Sequence, residues 1–160
     1  LSITQCIEDA WQRGMKVGLV SFDFEKAFDK VWHTGLIKKL LQLKVPRYII
    51  LWINQWLNDR KSRVKVNGTK GKYRQMKAGV PQGGVLSPLL FIIYVNDILK
   101  ETMENDEGYA MFADDLNVYV IAKNELTLVK KLQRIIDKVA NWAKNWYMSL
   151  NPTKCPKICH

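Results

Sequence analysis

The order of hydrophobic and polar positions along the chain predicts alternating helices and strands. Apolar residues at helical spacing predict a first helix, capped by Ser2 and ended by Gly14. A strand is predicted over residues 17–24, where apolar side chains alternate between the two faces. Asp23 closes this mostly apolar strand, a position that suggests use in a site rather than packing.

The middle of the chain is predicted to hold two helices and a basic hairpin. The helices cover residues 34–43 and 46–57. The second helix begins at Pro46. Its apolar stripe is interpreted most simply as part of the core and is formed by Ile49, Trp52, Ile53 and Trp56. Residues 62–67 and 72–77 alternate basic with apolar side chains around Asn67-Gly68, the pattern of a two-stranded hairpin with one wet, basic face.

The second half of the chain begins with a glycine-rich loop over residues 78–84. Ser87 and Pro88 are the predicted cap and first position of a helix that runs to about residue 101. A second, apolar hairpin follows over residues 108–122, with Asp114-Asp115 at its turn. A long helix over residues 124–146 and a short extended stretch over residues 148–151 complete the pattern.

With the basic hairpin set aside, the elements follow the order βαββαβ. This order predicts an α+β fold of the split βαβ type, a four-stranded antiparallel sheet with helices on one face. The basic hairpin is an insertion in that plan. Because the plan makes the end of the first strand a neighbour of the central hairpin turn, we expect Asp23, Asp114 and Asp115 to lie together.

Three neighbouring carboxylates repel one another, and a cation relieves that repulsion. An oxygen-only site suits Mg²⁺, which keeps some waters and completes its octahedron with substrate phosphates. Two such ions about 4 Å apart would activate an attacking hydroxyl and stabilise a leaving pyrophosphate. Taken alone, the Asp114-Asp115 pair has a second interpretation, an exposed turn without function.

Length and composition are those of one ordinary globular domain: 160 residues, 48% hydrophobic and 25% charged. The odd number of cysteines, Cys6, Cys155 and Cys159, favours a reducing compartment. The longest apolar run, residues 85–95, is too short for a membrane span. Since the chain lacks an initial methionine and a leader pattern, we expect no signal peptide and suspect that a longer protein contains it.

The net charge of +10 changes the expected partner, because it favours a polyanion. Residues 36–77 hold twelve of the 25 basic residues against Asp59 alone. We expect the hairpin to contact nucleic-acid phosphates through Arg60, Lys61, Arg63, Lys65, Lys72 and Arg74. The alternative is a solubilising face, to which Lys38 and Lys39 are assigned. Cys155, Cys159 and His160 have the residue types of half a zinc site but lack a partner pair.

Four segments resemble, in order, the motif series of reverse transcriptases. They are FDFEKAFDKV from residue 22, GVPQGGVLSP from residue 79, FADD from residue 112 and LNPTK from residue 150. The sequence most resembles the enzymes of non-LTR retrotransposons, with group II intron enzymes as more distant relatives. The series covers nearly the whole chain. Gly84 stands where the family often has Ser, and Phe112 where it often has Tyr.

The resemblance implies a polymerase palm, with part of the fingers, over residues 1–160. Asp23, Asp114 and Asp115 would be its catalytic metal ligands, helped by the backbone carbonyl of Phe24, and would bind two Mg²⁺ ions, with Mn²⁺ possible. The remaining implied roles belong to Phe28 as the steric gate against a 2′-hydroxyl, Gln82 and Gly83 as nucleotide contacts, and Lys154 as the proton donor to pyrophosphate. Plain core packing is the alternative for Phe28 and simple solvation for Lys154. Asp29 and His33, one helical turn apart, are interpreted as a structural pair.

The implied function is RNA-directed DNA synthesis, with an RNA template, a DNA primer and dNTPs as partners. The implied location is intracellular, in cytoplasm and nucleus, and no membrane is involved. Upstream fingers and a downstream thumb would belong to a longer polyprotein, so we expect the chain alone to bind metal but to synthesise DNA poorly. The alternative is a catalytically inactive, retroelement-derived nucleic-acid-binding module. An RNA-replicating polymerase is disfavoured by Phe28.

Overall fold

A computed structural model describes residues 3–100 and 103–151. The chain forms two compact units: residues 1–25 together with 96–160, and residues 26–95. The elements, in chain order, are α1 (Ile3–Gln12), β1 (Lys16–Asp23), α2 (Ala27–Lys30), α3 (His33–Gln42), α4 (Arg47–Asn58), β2 (Lys61–Ser62), β3 (Lys65–Val66), β4 (Thr69–Lys70), β5 (Arg74–Gln75), α5 (Ser87–Val95), β6 (Glu107–Phe112), β7 (Asp115–Ala122) and α6 (Glu125–Asn145). Among the described helices, none is long and apolar enough to cross a membrane.

The sheet of the first unit has the strand order β1-β7-β6, and both pairs are antiparallel. Its register places Val20 opposite Val118 and Phe22 opposite Leu116, and all four side chains are buried. Burial alternates along β1 and β7, as the two-residue period predicts. The strand predicted over residues 17–24 and the hairpin predicted over residues 108–122 are therefore confirmed.

The predicted fourth strand is reduced to one isolated antiparallel bridge between Phe24 and Leu150. In this bridge the Glu25 N–H donates to the Ser149 carbonyl and the Asn151 N–H donates to the Asp23 carbonyl, both at 2.8 Å. Within residues 3–100 and 103–151 the sheet thus has three strands rather than four. The bridge nevertheless holds residues 149–151 beside the end of β1.

A helix lies on each face of this sheet, whereas the sequence predicted helices on one face. Helix α6 packs closely against β1 at Gly18. A Cβ atom on Gly18 would lie 2.7 Å from Cδ1 of Leu132, which belongs to α6. On the other face, the Tyr119 hydroxyl donates a 3.4 Å hydrogen bond to Cys6 Sγ of α1. This bond, with burial, raises the pKa of Tyr119 to about 12. Leu19 and Tyr119 lie on this second face and are largely apolar, so packing a helix there removes apolar surface from water.

Helix α6 is the long helix that the sequence predicts. Asn124 caps it, its side chain accepting a 2.9 Å hydrogen bond from the Thr127 N–H. Lys131 of α6 lies 3.2 Å from Glu104, and Arg134 contacts both Glu104 and the buried Glu107. The hydrogen bond from Lys131 and the neighbouring Arg134 charge lower the pKa of Glu104. These ion pairs tie α6 to the segment that enters β6.

The second unit is built from α3, α4 and α5, with a core of aliphatic and aromatic side chains. The assignment of Lys39 to a solubilising face is wrong, because its side chain is buried in this unit and donates to the Tyr94 carbonyl.

The predicted stripe on α4 is confirmed at Ile53 and wrong at Trp52, while Ile49 and Trp56 are half-buried. The buried residues are Ile50, Ile53 and Leu57, whereas Trp52 is 53% exposed. The apolar surface of α4 is wider than the face that packs, because it also includes Tyr48 and Trp52, so spacing alone does not identify the buried residues. Helix α5 ends at Val95 instead of near residue 101, and the four-residue helix α2 has no counterpart among the predicted elements.

The basic hairpin is present but interrupted. β3 pairs with β4 across the Asn67-Gly68 turn, and β2 pairs with β5 at the base. Both turn residues have positive φ, 47° and 84°, as a type I′ turn requires. Arg74 lies opposite Ser62, on the face away from Lys61. The prediction that one face collects the charges is therefore wrong. Residues 63–64 and 71–73 separate the two strand pairs, and their unequal lengths break the alternation.

Candidate catalytic site

Two of the predicted metal ligands lie opposite each other at one end of the β1–β7 strand pair. Asp23 is the last residue of β1 and Asp115 the first of β7, and they are register partners. Opposed residues in antiparallel strands have Cα atoms about 5 Å apart. Asp114 lies in the preceding two-residue turn, beside Ala113 with φ of 53°. The backbone therefore places all three residues at one end of the β1–β7 pair.

Phe24 follows Asp23 with its ring buried against Trp142, in an edge-to-face contact at 6.2 Å between centroids. The bridge to residues 149–151 uses the carbonyl of Asp23 and the N–H of Glu25. Successive residues of a strand direct their backbone polar groups to opposite sides. The Phe24 carbonyl therefore points away from the bridge, to the side of β1 on which β7 lies.

Asn151 is a site residue to which the sequence assigned no role. Its side-chain Nδ2 donates to Asp23 Oδ2 at 3.0 Å, and its N–H donates to the Asp23 carbonyl at 2.8 Å. The two bonds fix the Asp23 carboxylate relative to the backbone. Asn151 belongs to the LNPTK segment, which the family resemblance singles out. Its place in the sequence does not show which strand that segment contacts.

The donor chemistry of the three aspartates fits a hard divalent cation, since all the groups are carboxylate oxygens. Across residues 3–100 and 103–151, however, no three acidic, histidine or cysteine side chains converge closely enough to hold a metal ion. Asp115 is exposed and Asp114 half-buried, so both can change rotamer at small cost. The backbone register fits a metal site, and side-chain rotation would complete it.

In the second unit, the loop of residues 78–84 is anchored by hydrogen bonds around Gly79. The Gly79 carbonyl accepts from His33 Nε2 and from Arg60 Nη1, both at 2.8 Å. Its N–H donates to the Val31 carbonyl at 2.8 Å. The predicted Asp29–His33 pair is wrong, because the buried imidazole donates to the loop instead.

Gln82 and Gly83 form the exposed tip of this loop. Gln82 Nε2 donates to Asp29 Oδ1 at 3.2 Å, which orients the amide. Gly83 has φ of 79° and open space where a side chain would lie. Gly79 also has a positive φ, 86°, and its backbone approaches that of Asp29 closely.

Phe28 is half-buried rather than fully in the core. Its ring stacks on Phe91 of the same unit with 4.8 Å between centroids and 25° between ring planes. One face of the ring is thus supported by packing. Lys154, Cys155, Cys159 and His160 lie outside the described residues.

The six predicted nucleic-acid contacts fall into two groups. Arg60 is half-buried and anchors the glycine-rich loop through Gly79, a structural task that the sequence did not reveal. The others are exposed on the hairpin, namely Lys61, Arg63, Lys65, Lys72 and Arg74. The Arg63 guanidinium lies 4.7 Å from the Tyr73 ring centroid, a cation–π contact.

Comparison with known proteins identifies the family. Residues 2–160 match the family described as reverse transcriptase (RNA-dependent DNA polymerase). The RNA-directed DNA polymerase from mobile element jockey of Drosophila melanogaster is 36% identical over 141 residues, which are 85% of this chain and 15% of the relative. A Pol polyprotein from a type-1 R2 retrotransposable element of Nasonia vitripennis is 28% identical over 159 residues, 96% of this chain and 15% of the relative.

Solved structures show the same fold. Telomerase from Candida albicans, in complex with a TWJ fragment of telomeric RNA, superposes with a TM-score of 0.77 over 99% of this chain and 29% of that chain, at 14% identity. Telomerase from Candida tropicalis gives a TM-score of 0.72 over 99% of this chain and 34% of that chain, at 20% identity. The chain spans about 15% of the length of each curated relative above. By its match over residues 2–160, the chain belongs to the reverse transcriptase (RNA-dependent DNA polymerase) family.

Proposed function

We propose that the chain is the polymerase palm of a non-LTR retroelement reverse transcriptase, which adds dNTPs to a DNA primer on an RNA template. The observation that carries the proposal is the pairing of Asp23 with Asp115 at the end of β1 and β7, with Asp114 in the adjoining turn. The three-stranded sheet and the Phe24–Leu150 bridge support a split βαββαβ palm.

Asp23, Asp114, Asp115 and the Phe24 carbonyl would hold two Mg²⁺ ions, or Mn²⁺ in their place. When bound, such ions make the primer 3′-hydroxyl more acidic and stabilise charge on the transferred phosphoryl group and pyrophosphate. Asn151 would hold Asp23 in one orientation through its 3.0 Å hydrogen bond. The proton donor to pyrophosphate is proposed to be Lys154.

The second unit would select the nucleotide. Phe28, supported by Phe91 at 4.8 Å, presents a ring that would collide with a ribose 2′-hydroxyl. Gln82 and Gly83 would contact the incoming nucleotide and template from the exposed loop tip, whose position the hydrogen bonds of Gly79 fix. The exposed lysines and arginines of the hairpin would contact phosphates.

A primer-extension assay on a primed RNA template with Mg²⁺ tests this proposal. The chain is compared with an extended protein that includes the flanking segments of its reading frame, with dNTPs or rNTPs as substrate. We expect dNTP incorporation by the extended protein and little by the chain alone. An extended protein that binds the primed template without extending it would overturn the proposal in favour of a catalytically inactive nucleic-acid-binding module.

Phe28→Val should relax the discrimination between dNTPs and rNTPs. Removing the ring opens space at the sugar, so we expect kcat/KM for rNTPs relative to dNTPs to rise by at least about tenfold in the extended protein. Tyr109→Val, on β6 of the other unit, is the matched control and should leave the ratio unchanged. An unchanged ratio in Phe28→Val would assign the ring to packing alone.

Asn151→Ala should weaken the response to metal. The substitution removes one hydrogen bond that orients Asp23 Oδ2, and loss of such an outer contact typically costs about 10–100-fold in metal affinity or activity. The measurement is the Mg²⁺ concentration for half-maximal extension, accompanied by calorimetric Mn²⁺ binding. Asn141→Ala, on the exposed side of α6, is the control. A Mg²⁺ dependence equal to that of the wild type would exclude this positioning role.

A further inference from the structure

We infer that the outer face of helix α4 binds single-stranded nucleic acid by base stacking. The surface is an aromatic ladder made of Tyr48, Trp52 and Trp56, which recur every four residues and so lie on one side of the helix. It goes beyond the proposed polymerase function, because stacking of a single strand on this face needs neither metal nor nucleotide.

The aromatic ladder is accessible along much of its length. Tyr48 is 73% exposed and Trp52 is 53% exposed, and the sequence had assigned Trp52 to the core. The rings of Trp52 and Trp56 are parallel within 5°, with 6.1 Å between their centroids. An open cleft of about 430 Å³ beside them is lined by Trp52, Gln55, Trp56, Asp59 and Arg60. The Trp52 and Trp56 rings stack on each other, so a base would stack on the exposed surface of this pair, and such stacking accepts any base.

The charge around the aromatic ladder fits a polyanion. Between residues 36 and 77, Asp59 is the single acidic residue against twelve basic ones. The hairpin continues directly from the end of α4, because Gln75 Nε2 donates to the Asn58 carbonyl at 3.0 Å and the Met76 N–H donates to the Arg60 carbonyl at 2.9 Å. The exposed hairpin cations thus follow the ladder along the chain, a combination of stacking rings and a basic track that is typical of single-strand binding.

The spacing favours an unstacked strand over a duplex. Aromatic residues four positions apart are about 6 Å apart along a helix axis, whereas stacked bases are about 3.4 Å apart. A flexible single strand can separate its bases to meet successive rings, and paired bases in a duplex cannot. In the cleft, the Gln55 side-chain amide can donate a hydrogen bond to a base carbonyl oxygen, such as O4 of thymine.

Fluorescence anisotropy with a labelled oligothymidylate of about 15 nucleotides tests the inference, with a duplex of equal length as second probe. We expect Trp52→Ala and Trp56→Ala each to weaken single-strand binding about tenfold, with duplex binding within about twofold of wild type. Trp52→Phe retains a ring and should recover most of the affinity. Trp11→Ala, at a 58% exposed tryptophan of the other unit, is the matched control.

Three results would overturn the inference. Wild-type affinity in both tryptophan variants would exclude stacking at this face. Equal losses for single strand and duplex would assign binding to charge alone. Self-association of the wild-type chain in sedimentation velocity, abolished by Trp52→Ala, would make the face a protein interface. Circular dichroism of each variant verifies the fold, because Trp52 is exposed whereas Trp56 is half-buried. Because no step requires catalysis, failure of this test leaves the proposed polymerase function standing.

Discussion

Asp115→Asn should abolish DNA synthesis by the extended protein, with a loss of at least about a thousandfold in kcat. The amide has nearly the shape of the carboxylate but lacks its charge, so a divalent cation loses a ligand opposite Asp23 while the β1–β7 register is retained. The measurement is single-nucleotide incorporation at saturating dNTP. Asp137→Asn, an exposed position on α6, is the matched control and should retain wild-type activity.

The same substitution should leave the isolated chain at least as stable as before. Like charges directly opposite in an antiparallel pair destabilise it, so neutralising Asp115 should raise the free energy of unfolding by a few tenths of a kcal/mol. Lost synthesis with retained or increased stability indicates a catalytic carboxylate. Lost synthesis with a large drop in melting temperature would indicate a structural one, and activity within tenfold of wild type would refute the metal role.

The sequence predicts β1 and β7 well because buried and less buried residues alternate along both strands. This two-residue alternation identifies the segment as a strand, and it places Val20 and Phe22 together on the more buried face. On α4 the apolar surface is wider than the buried face, so helical spacing predicts a core position for Trp52, which is exposed.

Contacts made by irregular segments were beyond the reach of sequence patterns. Asn151 meets Asp23 through a single bridge, which has no periodicity to reveal it. His33 is one helical turn from Asp29, yet its imidazole donates to the Gly79 carbonyl, because the loop backbone passes over it. Arg60 donates to the same carbonyl while its neighbours in the hairpin are exposed. Loop backbone groups need partners once they are buried, and those partners depend on the tertiary fold.

Gly79→Ala should be the most destabilising glycine substitution in the loop of residues 78–84. Its φ of 86° is strained for alanine, and the new Cβ would lie 2.7 Å from the Asp29 carbonyl oxygen and 2.9 Å from its Cα. Since these are backbone atoms, no side-chain rotation can relieve the contact. We expect the free energy of unfolding to fall by about 3 kcal/mol, and the melting temperature by about 6–12 °C.

Gly83→Ala separates the two causes within the same loop. Gly83 has a similar φ of 79° but no atom within 4 Å of the added Cβ, so this variant carries the backbone strain alone. We expect a loss of about 1 kcal/mol. Equal losses in the two variants, measured by urea denaturation, would show that strain is sufficient and the approach to Asp29 unimportant. A larger loss in Gly79→Ala would mean that the loop bearing Gln82 is held by close backbone packing, which admits only glycine at residue 79.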